Sequence, residues 1–108
     1  MNRGDLVLCA DKSGEFTSKP RPVLVLQNSL YIDAKETVIV CPVSSAALDV
    51  PLALVLQPTL ENGLKLTSVI RLDLITTVRK VRLGKKLGVV SPVEVMRINE
   101  ILRDWLNL

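Results

Sequence analysis

The sequence contains no histidine, and this absence removes several catalytic mechanisms at once. Ser-His-Asp triads, Cys-His dyads and RNA cleavage by paired histidines all need an imidazole that accepts and donates a proton near neutral pH. Among the polar groups that remain, arginine, carboxylate and hydroxyl groups form the candidate reactive set. Any catalytic chemistry in this chain is therefore expected to rest on those three types of side chain.

Aromatic residues and cysteines are also scarce. One Trp, one Tyr and one Phe occur in 108 residues, which disfavours an RNA-binding module that stacks bases on several aromatic rings. Cys9 and Cys41 each lie in an apolar segment and are expected to be buried, reduced thiols. Two cysteines without histidine do not form a zinc site of the common kinds, so no metal or other cofactor is expected.

What the chain does contain is a large share of aliphatic residues, and 48% of it is hydrophobic. Residues 1–108 are predicted to form a single domain with a core of Val, Leu and Ile. The N-terminus lacks the apolar region of a signal peptide, and no apolar run is long enough to span a membrane, so the protein is predicted to be cytoplasmic. A net charge of +3 permits binding to nucleic acid or to an acidic protein without indicating which.

Short apolar segments separated by turn residues, followed by one late helix, predict a small antiparallel β-barrel capped by a helix. The strands are predicted at 6–10, 21–27, 37–43, 50–56, 68–73, 76–81 and 89–90. Pro42 cannot donate to a ladder and is expected at an edge or a bulge. A basic turn is expected at 84–88.

The helix has the clearest signal. Ser91-Pro92-Val93-Glu94 combines an N-cap serine, a proline at the first helical position and a glutamate three residues after the cap. Apolar residues then recur on one stripe, which is expected to face the core. The members of this stripe are Val95, Ile98, Ile101, Leu102 and Trp105.

Arg21 lies between two prolines and just before the apolar run Val23–Leu26. Each proline fixes its own φ and biases the preceding residue toward an extended conformation, so Arg21 is expected at the start of a buried strand. A guanidinium on such a rigid backbone suits the binding of a phosphate in a set geometry. The alternative is an ordinary solvated residue at the edge of a sheet.

Three further residues complete a candidate reactive set. Ser44 follows the third predicted strand, and Arg71 and Asp73 are expected on one face of the fifth. When an RNA 2′-hydroxyl attacks the neighbouring phosphate, a guanidinium can bind the phosphoryl oxygens, a carboxylate can accept the hydroxyl proton and a serine can donate a hydrogen bond. The alternatives are a turn serine and an ion pair that stabilises a strand.

A basic cluster follows this set near the end of the sheet-forming part of the chain. It consists of Arg79, Lys80, Arg82, Lys85 and Lys86. Such a cluster is either a solvated face or a surface that follows phosphates.

These segments, in order, resemble the PemK/MazF toxins of type II toxin-antitoxin systems. The matching segments are Arg3-Gly4-Asp5, Arg21-Pro22-Val23-Leu24-Val25 with Gln27-Asn28, Thr37 to Ser44, Ser68 to Val78 and the C-terminal helix. The resemblance implies an SH3-like barrel, a homodimer and a sequence-specific, metal-independent endoribonuclease (an mRNA interferase) that leaves 2′,3′-cyclic phosphate and 5′-hydroxyl ends. It also implies a cognate antitoxin whose acidic tail covers the RNA groove, and DNA binding together with that antitoxin.

The same resemblance assigns residues to roles. Arg21 and Ser44 correspond to the arginine and the Thr/Ser of the family's site, while Arg71 and Asp73 match the arginine and aspartate proposed as acid and base in its Kid-like branch. Some members hold RNA with a histidine in the first loop, where this chain offers only lysines. The RNA-binding candidates are Lys12, Lys19, Gln27, Asn28 and Arg79.

Two other classes of function stay open on the same fold. One is a non-catalytic, CcdB-like gyrase poison, toward which Trp105 points weakly because such poisons depend on their C-terminal residues. The other is an inactive member that only binds an antitoxin or represses. Arg21 and Ser44 favour the ribonuclease, and assays of RNA cleavage and of gyrase binding separate the three.

Overall fold

A computed structural model describes residues 1–10, 19–46 and 49–108. The strands of these ranges are β1 (Asp5–Cys9), β2 (Arg21–Val25), β3 (Thr37–Ser44), β4 (Leu54–Leu56), β5 (Ser68–Ile70), β6 (Thr76–Arg79) and β7 (Leu83–Val89). The helical segments are the α-helix α1 (Pro92–Leu106) and the short 3-10 segments Ser29–Ala34, Leu72–Leu74 and Lys80–Arg82. Within these ranges no helix is long and apolar enough to cross a membrane.

The described strands form one curled antiparallel sheet in the order β4-β5-β3-β2-β1-β7, with β6 also paired to β3. The predicted antiparallel barrel with a C-terminal helix is thus confirmed as a curled half-barrel. β3 is shared, because its first half pairs with β6 and its last two residues pair with β5. Pro42 lies where this neighbour changes, not at an outer edge, and its carbonyl accepts a hydrogen bond from the Arg71 N–H at 2.8 Å.

The core has two parts, one on each face of the sheet. Successive strand residues point to opposite faces, so the cross-strand partners Leu6 and Leu24 enter the part beneath α1, while Val7 and Val23 enter the other. All four side chains are buried. The apolar run of β2 is therefore buried on both faces, as its lack of alternation predicts.

The helix begins as predicted. The Glu94 N–H donates to the Ser91 hydroxyl at 3.1 Å, and the Ser91 N–H donates to the Glu94 carboxylate at 2.7 Å, which completes a capping box. Ile98 is buried, and three further residues of the predicted stripe pack against the same core. Trp105 is 39% exposed and lies outside that core cluster.

The strand prediction for residues 68–73 is wrong after Ile70. Arg71 leaves the extended conformation (φ −87°, ψ 74°) and residues 72–74 form a 3-10 segment. The alternation of Ile70, Leu72 and Leu74 indicated a strand face, yet Leu74 is 46% exposed. Consequently Arg71 and Asp73 do not share a strand face.

The seventh strand is much longer than predicted, because the expected basic turn at 84–88 is itself part of β7. Among the described strands, β7 pairs with β1 alone and forms an edge of the sheet, and its lysines suit an edge that must not pair with another chain. The strand predicted at 50–56 begins only at Leu54, after a turn in which Leu52 has φ +54°. The second and sixth strands end two residues earlier than predicted.

Candidate active site

A cleft of about 530 Å³ lies between two parts of the chain. The start of β2 and the end of β3 border it together with segment 63–66, and Leu8, Pro22, Val43 and Leu87 add apolar surface. Its polar lining residues are Lys19, Arg21, Ser44, Ser45, Lys65 and Ser68. Among the described residues no carboxylate lines the cleft, so its fixed charge is positive.

Arg21 and Ser44 meet at this cleft because of strand register. Arg21 is the first residue of β2 and pairs across the sheet with Cys9. On its other side β2 pairs with β3 through Val23 opposite Pro42, and continuing that register by two residues brings Arg21 opposite Ser44. The sheet thereby places a guanidinium and a hydroxyl at the ends of adjacent strands, and both residues line the cleft.

Ser44 ends β3, and its hydroxyl oxygen accepts a hydrogen bond from the Ala46 N–H at 3.1 Å. This is the arrangement of a turn serine, the alternative drawn from the sequence. A hydroxyl has one proton to donate as well as lone pairs to accept. The turn therefore fixes the oxygen while leaving the O–H able to donate to a ligand in the cleft.

Arg71 and Asp73 lie together, and neither is among the residues that line the cleft, although Arg71 follows Ile70, which pairs with the lining residue Val43. The Arg71 guanidinium donates through Nε and one terminal nitrogen to the two carboxylate oxygens of Asp73. These hydrogen bonds hold the pKa of the Asp73 carboxyl below its usual value and raise the pKa of Arg71. The ion-pair alternative from the sequence thus describes the contact that they make, within a 3-10 turn instead of a strand.

The RNA-binding candidates are dispersed. Lys19 lines the cleft, while Lys12 falls outside the described residues. The side-chain oxygen of Asn28 accepts a hydrogen bond from the Leu30 N–H at 2.9 Å and so caps the segment Ser29–Ala34. Arg79 is an exposed residue at the end of β6. Gln27 is 9% exposed, and its carbonyl oxygen has no hydrogen-bond partner in the described part of the chain. Of the four candidates that the structure describes, only Lys19 therefore lines the cleft.

The basic cluster is mostly engaged in structural contacts. The Lys80 ammonium donates to the carbonyl of Ile32 at 2.8 Å, and the Arg82 guanidinium donates twice to the carbonyl of Ala10, at 3.1 and 2.8 Å. Lys86 lies 3.4 Å from a buried carboxylate on β1. The cluster is thus neither a plain solvated face nor part of the cleft lining.

Segment 63–66 is the part of the cleft that sequence reasoning missed. In the sequence, the Asn62-Gly63 pair is a turn signal at the end of a connection rich in turn residues. Lys65 follows this pair by two residues. A lysine that comes directly after a tight turn is the feature of the sequence that points to this part of the cleft.

Residues 2–106 match the family described as "PemK-like, MazF-like toxin of type II toxin-antitoxin system". The chain belongs to this family. It is 33% identical over 109 aligned residues to a probable endoribonuclease MazF of Mycolicibacterium smegmatis, an alignment that covers 100% of this chain and 98% of the relative.

Solved structures of the PemK/MazF toxins share the fold. A MazE-MazF complex of Deinococcus radiodurans (Form-II) is similar with a TM-score of 0.81 and 24% identity, covering 100% of this chain and 96% of that one. A mycobacterial endoribonuclease in complex with its cognate antitoxin has a TM-score of 0.79 at 24% identity, covering 100% and 94%. The resemblance drawn from the Arg-Pro-Val block is confirmed, and the protein is a toxin of the same class as MazF endoribonucleases.

Proposed function

We propose that this toxin is a metal-independent endoribonuclease that cuts single-stranded RNA at short sequences and leaves 2′,3′-cyclic phosphate and 5′-hydroxyl ends. The observation that carries the proposal is the cleft in which Arg21 and Ser44 meet on adjacent strands without a lining carboxylate. Such a cleft attracts a polyanion. The family supplies the reaction class, since a full-length relative is a probable endoribonuclease.

In the proposed reaction the 2′-oxygen attacks the adjacent phosphorus and the bond from phosphorus to the 5′-oxygen breaks. Negative charge gathers on the non-bridging oxygens, where the Arg21 guanidinium donates hydrogen bonds and the Ser44 hydroxyl adds another. The 2′-hydroxyl loses a proton and the departing 5′-oxygen gains one. The geometry of the described residues best supports one contribution to the reaction: the sheet holds the positive charge of Arg21 in place next to the phosphate.

The roles of Asp73 as base and Arg71 as acid stay a prediction. The pairing with Arg71 keeps Asp73 deprotonated, which is the form that a general base requires, but the lowered pKa makes it a weaker base. Arg71, with a raised pKa, is a poor proton donor. An electrostatic role for this pair is therefore better supported than proton transfer.

The chemistry of the cleft also favours a single strand as the substrate. Cations at its border suit the phosphates of the backbone, and the apolar surface of Leu8, Pro22 and Leu87 suits unstacked bases. Sequence-specific recognition of RNA mostly uses bases that are free of pairing. A duplex would present its phosphates without exposing base faces to such a surface.

A cognate antitoxin and a second copy of the chain complete the proposal. Two relatives of the same fold were solved with an antitoxin, one of them a MazE-MazF complex. An acidic antitoxin segment would be attracted to the same cations that bind RNA. Two copies of the chain can contact each other through exposed apolar side chains. The candidates include Leu74, on the 3-10 segment that contacts α1, and Leu106, at the end of α1.

The test is an incubation of the purified protein with a long unstructured RNA in EDTA, followed by analysis of the fragment ends. We expect discrete cuts with cyclic-phosphate ends, abolished in Arg21→Ala and retained in Arg97→Ala, an exposed arginine of α1 outside the cleft. Undiminished cleavage by a folded Arg21→Ala protein would overturn the assignment of the site. Absence of cleavage across a varied RNA pool, together with binding to gyrase, would favour the gyrase-poison alternative.

A further inference from the structure

Segment 63–66 contributes one cation, Lys65, to the lining of the cleft that Arg21 also lines. Lys65 is exposed, between the buried Leu64 and Leu66, which is 63% exposed. In the described part of the chain it forms neither an ion pair nor a hydrogen bond through its ammonium. Among the described residues, nothing therefore neutralises its charge.

The turn before Lys65 is fixed by one buried side chain. Asn62 is 1% exposed, and its carbonyl oxygen accepts from the N–H groups of Thr59 and Leu64, each at 3.0 Å. Its amide nitrogen donates to the carbonyl of Gln57 at 2.9 Å. Because these contacts satisfy both ends of the amide, the backbone leading to Lys65 has one defined path.

Two glycines hold the same turn against β7. A Cβ added at Gly63 would collide with the carbonyl of Leu87, and one added at Gly88 would collide with the carbonyl of Glu61. The backbones therefore touch at a distance that only glycine permits. After Lys65, the Ser68 hydroxyl donates to the carbonyl of Leu66 at 2.8 Å and secures the other end of the segment.

We propose that Lys65 is a substrate-binding residue that holds a phosphate of the RNA strand other than the one being cleaved. Arg21 and Ser44 lie at the ends of strands, whereas Lys65 lies on a separately anchored segment of the cleft lining. A strand that lies along the cleft can therefore present one phosphate to Arg21 and Ser44 and another to Lys65. This inference rests on the proposed ribonuclease function and assigns to it a residue outside the reactive set.

Loss of one phosphate contact has a measurable signature. The affinity of a single strand falls with salt in proportion to the number of phosphates neutralised, with a slope of about −0.7 per contact. Lys65→Gln should therefore make the slope shallower by about 0.7 and weaken binding about fourfold at 0.15 M salt. Lys65→Arg should restore both quantities, because it keeps the charge.

Binding is measured by fluorescence anisotropy with a labelled 2′-O-methyl oligonucleotide that spans a cleavage site mapped with the wild-type protein. The methyl group prevents attack by the 2′-oxygen, so binding is separated from cleavage. Lys35→Gln is the matched control, since it removes the same charge from an exposed residue outside the cleft. In cleavage assays, Lys65→Gln should raise KM and leave kcat nearly unchanged, because Lys65 does not touch the reacting phosphate.

The outcomes separate this inference from the proposed function. A wild-type protein that neither binds nor cleaves RNA would overturn both. A wild-type protein that cleaves, with Lys65→Gln and Lys35→Gln giving equal salt slopes, would overturn the role of Lys65 alone. A large loss of kcat in Lys65→Gln would also contradict it, because that result would place Lys65 at the reacting phosphate.

Discussion

The Arg71 guanidinium is held by the Asp73 carboxylate through two parallel hydrogen bonds, Nε to Oδ1 at 2.9 Å and Nη2 to Oδ2 at 2.7 Å. The two residues are only two positions apart, and the 3-10 turn that follows Arg71 brings their side chains together. The pair is charge-assisted and planar, the strongest geometry for these two groups. It also links the titration of Asp73 to the presence of Arg71.

Replacing Arg71 should restore an ordinary titration of Asp73. In wild-type protein the hydrogen bonds and charge of Arg71 hold the pKa of Asp73 below its usual value. In Arg71→Gln we expect this pKa to rise toward the usual carboxyl range, as measured by NMR of the side-chain carboxyl carbon. Arg97→Gln, on the exposed surface of α1, should leave it unchanged. An unmoved pKa in Arg71→Gln would show that the pair does not form.

The same pair sets a pH dependence of stability. Because the folded pKa of Asp73 lies below its unfolded value, the contribution is fully present above the unfolded pKa and is lost as pH falls through the folded pKa. Wild-type Tm should therefore exceed that of Arg71→Gln at neutral pH, and the difference should shrink in strong acid. The difference is expected to be small, since exposed ion pairs contribute little. Thermal unfolding followed by circular dichroism across this range provides the check.

Removal of the Ser44 hydroxyl should slow cleavage without preventing RNA binding. Loss of one hydrogen-bond donor to developing charge costs about 10²-fold in kcat in comparable sites. Ser44→Thr keeps the hydroxyl and should retain most activity. Since Ser44 also accepts from the Ala46 N–H, Tm is measured for both variants to separate a loss of structure from a loss of chemistry. If a folded Ser44→Ala protein kept the wild-type kcat, the Ser44 hydroxyl would have no role in cleavage.

Substitution of Gly63 should destabilise the fold and the cleft together. Gly63 has φ +67°, and a side chain there meets the backbone of Leu87. Strained backbone of this kind costs about 1–3 kcal/mol, so Gly63→Ala should lower Tm by at least about 5 °C. Leu60→Ala is the control, because Leu60 lies in the same connection and is fully exposed. Equal Tm values for the two variants would show that the turn does not press against β7.

The two cysteines should be inert in the native protein. Burial, together with the charge of Asp73, raises the pKa of Cys41 to about 12, and burial also raises the pKa of Cys9. At pH 8 only about one Cys41 thiol in 10⁴ is then ionised, and the thiolate is the reactive form. Ellman's reagent should label no thiol in the folded protein and both in denaturant. Rapid labelling before unfolding would contradict the buried positions of these residues.

Local chemistry was enough to predict the elements whose signals lie within a few residues. The prolines around Arg21 place the start of β2, and the Ser91 capping box places the start of α1. The bounds of the other elements depend on pairing between residues that are far apart in the sequence. Residues 71–74 alternate like a strand, but the described ladders of β5 end at Ile70. Residues 84–88 resemble a turn, yet they belong to a strand that pairs with β1.

The candidate site was predictable to a similar extent. Arg21 and Ser44 were recognisable from residue type and position, and their proximity follows from the register of β2 and β3. The approach of segment 63–66 to the cleft depends on two glycines 25 positions apart in sequence, Gly63 and Gly88, which no local pattern connects. Likewise, nothing near Arg82 indicates that its guanidinium binds the carbonyl of Ala10.

The residues that line the cleft extend from Leu8 to Leu87, and β1 pairs with a strand near the other end of the sheet-forming sequence. A ribosome must therefore release the chain through Leu87 before the cleft has all the lining residues described. A growing chain carries Arg21 and Ser44 early, but segment 63–66 has no β7 to pack against until Leu87 and Gly88 emerge. The order of synthesis thus delays assembly of the cleft until Leu87 and Gly88 have been added, long after Arg21 and Ser44.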